Sequence, residues 1–206
     1  MGGHLGDILK APRGQEPRLV AGGVCLALPV PDQPKLHPLL VIEFSQESSI
    51  IHGMRFSADE MLGKLARWLR LAGVDVAYRR EISDADLVAE ARRDNRILLT
   101  RDTRLIRTLK PEEFLFITKD RMEEQFSEFR ERFGDALGEA RSLSRCAECN
   151  APLLPLPKAQ VVDRVWPYVF ASQSAFTGCP SCGKIYWRAT HVEKILRRLE
   201  RLRANP

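Results

Sequence analysis

From Met54 to Gly134, four strand-like segments alternate with four helix-like segments across short connections. No other feature narrows the fold as far. Alternation of this kind calls for a mostly parallel sheet with helices packed on its faces, an α/β architecture. "MRFSA", "VDVAY", "RILLT" and "FLFIT" are the strands. "RILLT" holds an unbroken apolar run, Ile97 to Leu99, as parallel strands buried on both faces do. "DEMLGKLARWLRLAG" sets Met61, Leu62, Leu65, Ala66, Leu69 and Ala72 on one helical face. Lys64, Arg67 and Arg70 fall off that face, and Gly73 ends the helix. "SDADLVAEARRDN" turns Leu87, Val88 and Ala91 inward, "DTRLIRTL" is a short helix, and "RMEEQFSEFRERFG" carries Met122, Phe126, Phe129 and Phe133 on its inner face.

The flanks differ in texture. Residues 1–53 hold six of the thirteen prolines and show no sustained helical period. A hairpin turning at Gly22-Gly23 and a segment of weak order are both open readings there. Cys25 reads as an inert small apolar residue. Met54 directly precedes the first strand, which makes it a candidate start. After Gly138, "GEARSLSR" reads as a linker, and "THVEKILRRLERLRA" closes the chain as a basic amphipathic helix.

An open parallel sheet binds ligands beyond the carboxyl ends of its strands. Asp59 follows the first strand, Asp102 the third and Asp120 the fourth, while Asp84 and Asp86 begin the helix after the second. Acids far apart in sequence should therefore approach one rim. Two unit charges ~4 Å apart repel by roughly 4 kcal/mol at an effective dielectric near 20. Either one acid takes a proton or a cation sits among them. Hard oxygen ligands select Mg²⁺ or Mn²⁺, and such an ion promotes phosphodiester hydrolysis. Lys64, Arg67, Arg101 and Arg104 lie near the same rim and are candidates for holding phosphates. Each acid also has a plainer reading as a helix cap, worth ~1 kcal/mol. Asp59 and Asp102 stand at helix starts, and Ser83/Asp86 and Asp120/Glu123 have capping-box spacing.

Four of the five cysteines form two tight pairs, Cys146/Cys149 and Cys179/Cys182. A two-residue gap lets both sulfurs of one turn reach one ion, and four thiolates suit a structural Zn²⁺. Asn150 and Gly183 occupy the position after each pair, where a left-handed backbone is needed. The 29 residues between Cys149 and Cys179 imply an extra loop or strand pair. Two disulfides are the competing reading, and a cytosolic setting argues against them.

Charge separates the parts. Residues 1–53 carry 4 basic and 5 acidic residues, residues 54–144 carry 18 of each, and residues 145–206 carry 10 against 4. The positive excess of the last third is the footprint of a surface that meets phosphates, or of a solvated basic helix. Tyr186, Trp187, Trp166 and Tyr168 lie among these cations, where aromatic faces can stack on bases. The two tryptophans serve equally well as the module's core, and His191 reads as structural or exposed. No glycine fingerprint of a dinucleotide site and no Walker loop occurs. No apolar run nears the ~20 residues of a membrane helix, and no secretory leader is evident. The expectation is a cytoplasmic protein.

"FSADEMLGKLARWLRLAGVDV", "DADLVAEARRDNRILLTRD", "VWPYVFASQSAF" and "CPSCGKIYW" together resemble the Mut-seven C-terminal ribonuclease domain, a PIN-like nuclease fold fused to a zinc ribbon. The resemblance runs from residue 54 to about residue 195. It implies a PIN-like domain over 54–140 and a zinc ribbon with a basic helix over 145–206, and it gives no account of residues 1–53, which read as a poorly defined N-terminal extension. It further implies RNA as substrate and an acidic site binding Mg²⁺ or Mn²⁺. By motif that site falls on Asp59, Asp86 and Asp102, with the places of Asp84 and Asp120 open. A non-catalytic zinc-ribbon protein that binds nucleic acid is the alternative.

Overall fold

Strands β1 (Arg55–Ala58), β2 (Asp75–Tyr78), β3 (Ile97–Thr100) and β4 (Phe114–Phe116) pair in parallel in the order β2-β1-β3-β4. The computed structural model that shows this describes residues 53–204. The Gly22-Gly23 hairpin and Cys25 lie outside the described residues. Registers such as Ala58 with Leu99 and Thr100 with Phe116 bring the strand ends to one rim. Asp59 N–H extends the pairing by donating to Leu99 O at 3.0 Å. This arrangement is the mostly parallel α/β fold expected from the alternation.

Helices α1 (Gly63–Leu71) and α3 (Met122–Glu139) share one core with β1 and β2. Leu62, Leu65, Ala66, Leu69 and Ala72 are fully buried, which realises the apolar face of the first helix. Two residues depart from that helical wheel. Met61 is 63% exposed, because the helix opens with a 3-10 turn over Glu60–Leu62. A 3-10 turn has three residues per turn, so it rotates Met61 off the α-helical stripe. Arg70, placed off the face by periodicity, is only 3% exposed. Gly73 ends α1 with φ 95°, and a Cβ there would lie 2.2 Å from Arg141 O, so only glycine fits.

On α3, Met122, Phe126, Phe129 and Phe133 are buried. Phe56 meets Phe129 and Phe133 edge-on, with centroids 4.8 and 5.0 Å apart. Burying a side chain of this size contributes roughly 1.5–3 kcal/mol. The helix kinks at Phe133, whose φ/ψ of −132°/39° is not helical. Helix α2 (Asp84–Arg93) uses Leu87 with Leu98 and Leu105 in a smaller cluster, which Val88 adjoins.

Beyond α3 the chain enters the cysteine module. Gly138 and Glu139 are still helical, so the linker reading is too long at its start. Leu143 N–H donates to Leu71 O at 2.8 Å, which fastens the connection to α1. Strands β5 (Leu154–Leu156), β6 (Phe176–Gly178) and β7 (Ile185–Trp187) form an antiparallel sheet in that order. The long gap between cysteine pairs is filled by the paired strands β5 and β6, with a 3-10 turn and a short helix, α4 (Pro167–Ser172), between them. Val161, Val165, Val169, Phe176 and Ile185 make its core, with Trp187 packed on it and Trp166 left 49% exposed. Helix α5 (Thr190–Ala204) returns to the first unit, burying Leu199 and Leu202 in the core of α1 and α3.

Candidate active site and metal centre

Two groups of candidate ligands occupy different places, the acids at the strand rim and the four cysteines. At the rim, Asp59 is 6% exposed and both of its oxygens are engaged. Oδ1 accepts from Met61 N–H at 3.0 Å. Oδ2 accepts from the Thr100 hydroxyl at 2.5 Å and from Arg101 N–H at 2.8 Å. Thr100 is fully buried at the end of β3, and its hydroxyl oxygen also accepts from Asp102 N–H at 2.9 Å. One hydroxyl therefore ties Asp59 to the start of the Asp102 turn. Asp102 Oδ1 accepts from Arg104 N–H at 2.7 Å, while among the described residues no hydrogen bond engages its Oδ2. Sequence reading missed Thr100. Its signal is a polar residue closing an apolar strand immediately before the acid.

Asp86 stands apart. It is exposed in the first turn of α2, and its Oδ2 accepts from the Ser83 hydroxyl at 2.7 Å. Ser83 caps α2 by accepting from Asp86 N–H at 3.1 Å, as its capping-box spacing predicts. Asp84 is exposed beside it. Asp120 does not cap α3: Arg121 is the N-cap, with no side-chain bond. The Asp120 carboxylate instead pairs with the Arg101 guanidinium. Arg67 reaches Glu148 of the first cysteine turn at 3.2 Å, and Lys64 is exposed on α1. Among the described residues, the four cysteines are the group of His, Cys, Asp or Glu ligand atoms within 4.8 Å of one another. Asp59, Asp86 and Asp102 are not gathered that closely.

At the cysteines, Cys146 Sγ lies 3.6 Å from Cys182 Sγ, and Cys149 Sγ lies 3.3 Å from Cys179 Sγ. Zinc–sulfur bonds of about 2.3 Å in a tetrahedron put sulfurs about 3.8 Å apart, so the cluster fits a zinc ribbon. Asn150 and Gly183 have φ of 74° and 72°, the left-handed turns expected after each pair. Cys182 N–H points at Cys179 Sγ at 3.4 Å, and the Tyr186 hydroxyl lies 3.0 Å from Cys146 Sγ. Burial, with hydrogen bonds among the neighbouring sulfurs, pushes the Cys182 thiol up to about 12. The four cysteines are free thiols, with no disulfide among them.

The cysteine module is fastened to the first unit through buried polar groups. Arg70 Nε donates to Val76 O at 2.7 Å, and its Nη1 donates to Glu148 O at 2.6 Å and Ala147 O at 3.4 Å. Burial lowers the Arg70 pKa, against the nearby sulfurs of Cys146 and Cys149 and the carboxylates of Glu148 and Asp75. Asp75 accepts from Arg96 at 2.6 Å and from Asn150 Nδ2 at 2.8 Å, and Arg145 lies 3.1 Å away. Burial works to raise the Asp75 pKa, but the Arg96 and Asn150 hydrogen bonds and the Arg145 charge outweigh it and hold the carboxyl below its usual range.

Among the described residues, no helix is long and apolar enough to cross a membrane. In comparisons with known proteins, the family model described as Mut7-C RNAse domain matches residues 54–199, well over half of the chain. No curated protein and no solved structure matches.

Proposed function

We propose that this chain, which belongs to the Mut7-C RNAse domain family, is a metal-dependent ribonuclease that hydrolyses RNA phosphodiester bonds at the rim of its parallel sheet. The observation that carries the reading is the Asp59–Thr100–Asp102 linkage, with a free carboxylate oxygen on Asp102. Hard oxygens of this kind fit Mg²⁺ or Mn²⁺. Mg²⁺ keeps several waters and is commonly held by one or two carboxylates, so two linked acids suffice for direct contact. Asp86, exposed at the head of α2, would complete the acidic set. A divalent ion there supplies Lewis acidity toward a phosphoryl oxygen and lowers the pKa of water. Thr100 fixes the Asp59 carboxylate, and Lys64 and Arg101 hold phosphates of the RNA. Arg67 joins them only by leaving Glu148. The cysteines bind structural Zn²⁺, and the ribbon with α5 adds positive charge for RNA. Reduced thiols of this kind suit the cytoplasm.

Asp59 caps its 3-10 turn, Asp86 is held by the Ser83 that caps α2, and Asp102 closes a turn onto Arg104 N–H, which favours a second reading in which these acids are structural and the protein only binds nucleic acid. Cleavage of labelled single-stranded RNA decides between them. The wild type should cut with Mn²⁺ or Mg²⁺ present and stop when both are omitted. Asp102→Asn should be inactive with an unchanged melting temperature, since the amide oxygen can keep the Arg104 bond. No cleavage by the folded wild type with Mn²⁺ or Mg²⁺ present would support the second reading, and full cleavage by Asp102→Asn would take Asp102 out of the site.

A further inference from the structure

Strand β2 is an edge of the sheet, and an edge strand presents unpaired N–H and C=O groups on its open side. Val76 carries both of those groups, and neither is left to solvent. Its N–H donates to Asn150 Oδ1 at 3.1 Å, and its C=O accepts from Arg70 Nε. Asn150 is the residue that closes the first cysteine turn, with its N–H on Cys146 O at 2.9 Å. Arg70 holds the turn from the other side, through the carbonyls of Ala147 and Glu148. Asp75 adds Asn150 and Arg145 from the module to Arg96 from the sheet. Glu148 is shared between Arg67 of α1 and Lys184 of the second cysteine turn, each at 3.2 Å. Side chains of the cysteine turn thus stand where a fifth strand would pair.

We propose that the four-cysteine module is a metal-dependent clamp on the edge of the nuclease sheet. Metal at Cys146, Cys149, Cys179 and Cys182 sets the turn that aims Asn150 and the two carbonyls at β2 and Arg70. Loss of the metal frees the turn, opens Val76 N–H to water and strips the buried Arg70 guanidinium of its two acceptors on the turn. Strand β2 pairs directly with β1, which leads into Asp59, so the state of the cysteines reaches the acidic rim without touching RNA. The inference rests on the metal reading of the cysteines and is independent of the nuclease reading.

The test is amide hydrogen exchange at Val76 in the full chain, with metal and after chelation. Cobalt(II) replaces zinc so that thiolate absorption reports loading. In the wild type, chelation should speed Val76 exchange at least tenfold. Asn150→Gly accepts the positive φ and keeps the turn, but it has no side chain for Val76. It should load cobalt normally and show fast Val76 exchange even when loaded, with little change on chelation. Equal Val76 protection in loaded Asn150→Gly and loaded wild type would overturn the clamp. So would unchanged protection in chelated wild type. Absence of cobalt–thiolate absorption in the wild type would overturn the metal reading and the clamp with it, leaving the rim acids untouched.

Discussion

The acidic rim and the cysteine cluster are both candidate cation sites, yet they are assembled in opposite ways. The cysteines come from two short turns, and each turn brings its own pair of sulfurs together by local geometry. The fold then sets the two turns face to face, with Cys149 and Cys179 sulfurs 3.3 Å apart and Cys146 and Cys182 sulfurs 3.6 Å apart. The rim acids come from separate strand ends, and only the sheet register relates them. Asp59 and Asp102 are joined through Thr100, while Asp86 stays bonded to Ser83. A site made locally is closed and structural. A site made by tertiary register keeps an oxygen free, which is what chemistry on a substrate requires.

The largest effect that separates the two sites is loss of the cysteine metal. Chelation, or Cys179→Ser, should remove a binding free energy of about 10–16 kcal/mol and unfold the module. Tryptophan circular dichroism in the near ultraviolet reports it, and an unchanged spectrum would make the cysteines dispensable. Next is the joint between the sites. Arg70→Met leaves the buried carbonyls of Val76 and Ala147 and the part-buried carbonyl of Glu148 without their donor and should cost about 3 kcal/mol or more in urea unfolding. A cost under about 0.5 kcal/mol would show that the module does not lean on the sheet.

At the rim, Thr100→Val keeps the shape but removes the hydroxyl between Asp59 and Asp102. RNA cleavage should fall about 10–100-fold, as for other residues that orient ligands, with cobalt loading of the cysteines unchanged. Smallest is the contribution of Asp75 to acid stability. Its folded pKa lies below the unfolded value of about 3.9. The folded state therefore favours the carboxylate, and this stability is full above the unfolded value and drains away as pH falls through the folded one. Urea unfolding across pH 2–6 should show a flatter acid limb in Asp75→Asn than in wild type. Equal slopes would mean that the Arg96 and Asn150 bonds do not persist in solution.

Features governed by local rules were legible in the sequence. The alternation gave the parallel sheet, and the two-residue cysteine gaps gave the ribbon, down to the left-handed Asn150 and Gly183. What escaped depends on distant partners or local phase. Arg70 looked like a solvent residue because its acceptors on Ala147 and Glu148 are 77 and 78 positions away. Thr100 looked like the end of a strand until the fold placed Asp59, 41 residues earlier, against its hydroxyl. Met61 failed because a 3-10 turn shifted the helical phase. Asp120 and Glu123 have the spacing of a capping box, but Arg101 takes the aspartate and Arg198 takes the glutamate.

The central claim is that the strand-end carboxylates hold a divalent ion. Calorimetric titration of Mn²⁺ into the zinc-loaded protein tests it most directly, with Asp102→Asn as partner. The account predicts saturable binding of a single Mn²⁺ to the wild type, and affinity at least about a hundredfold weaker when the free oxygen of Asp102 becomes an amide. Identical isotherms for the two proteins would contradict it.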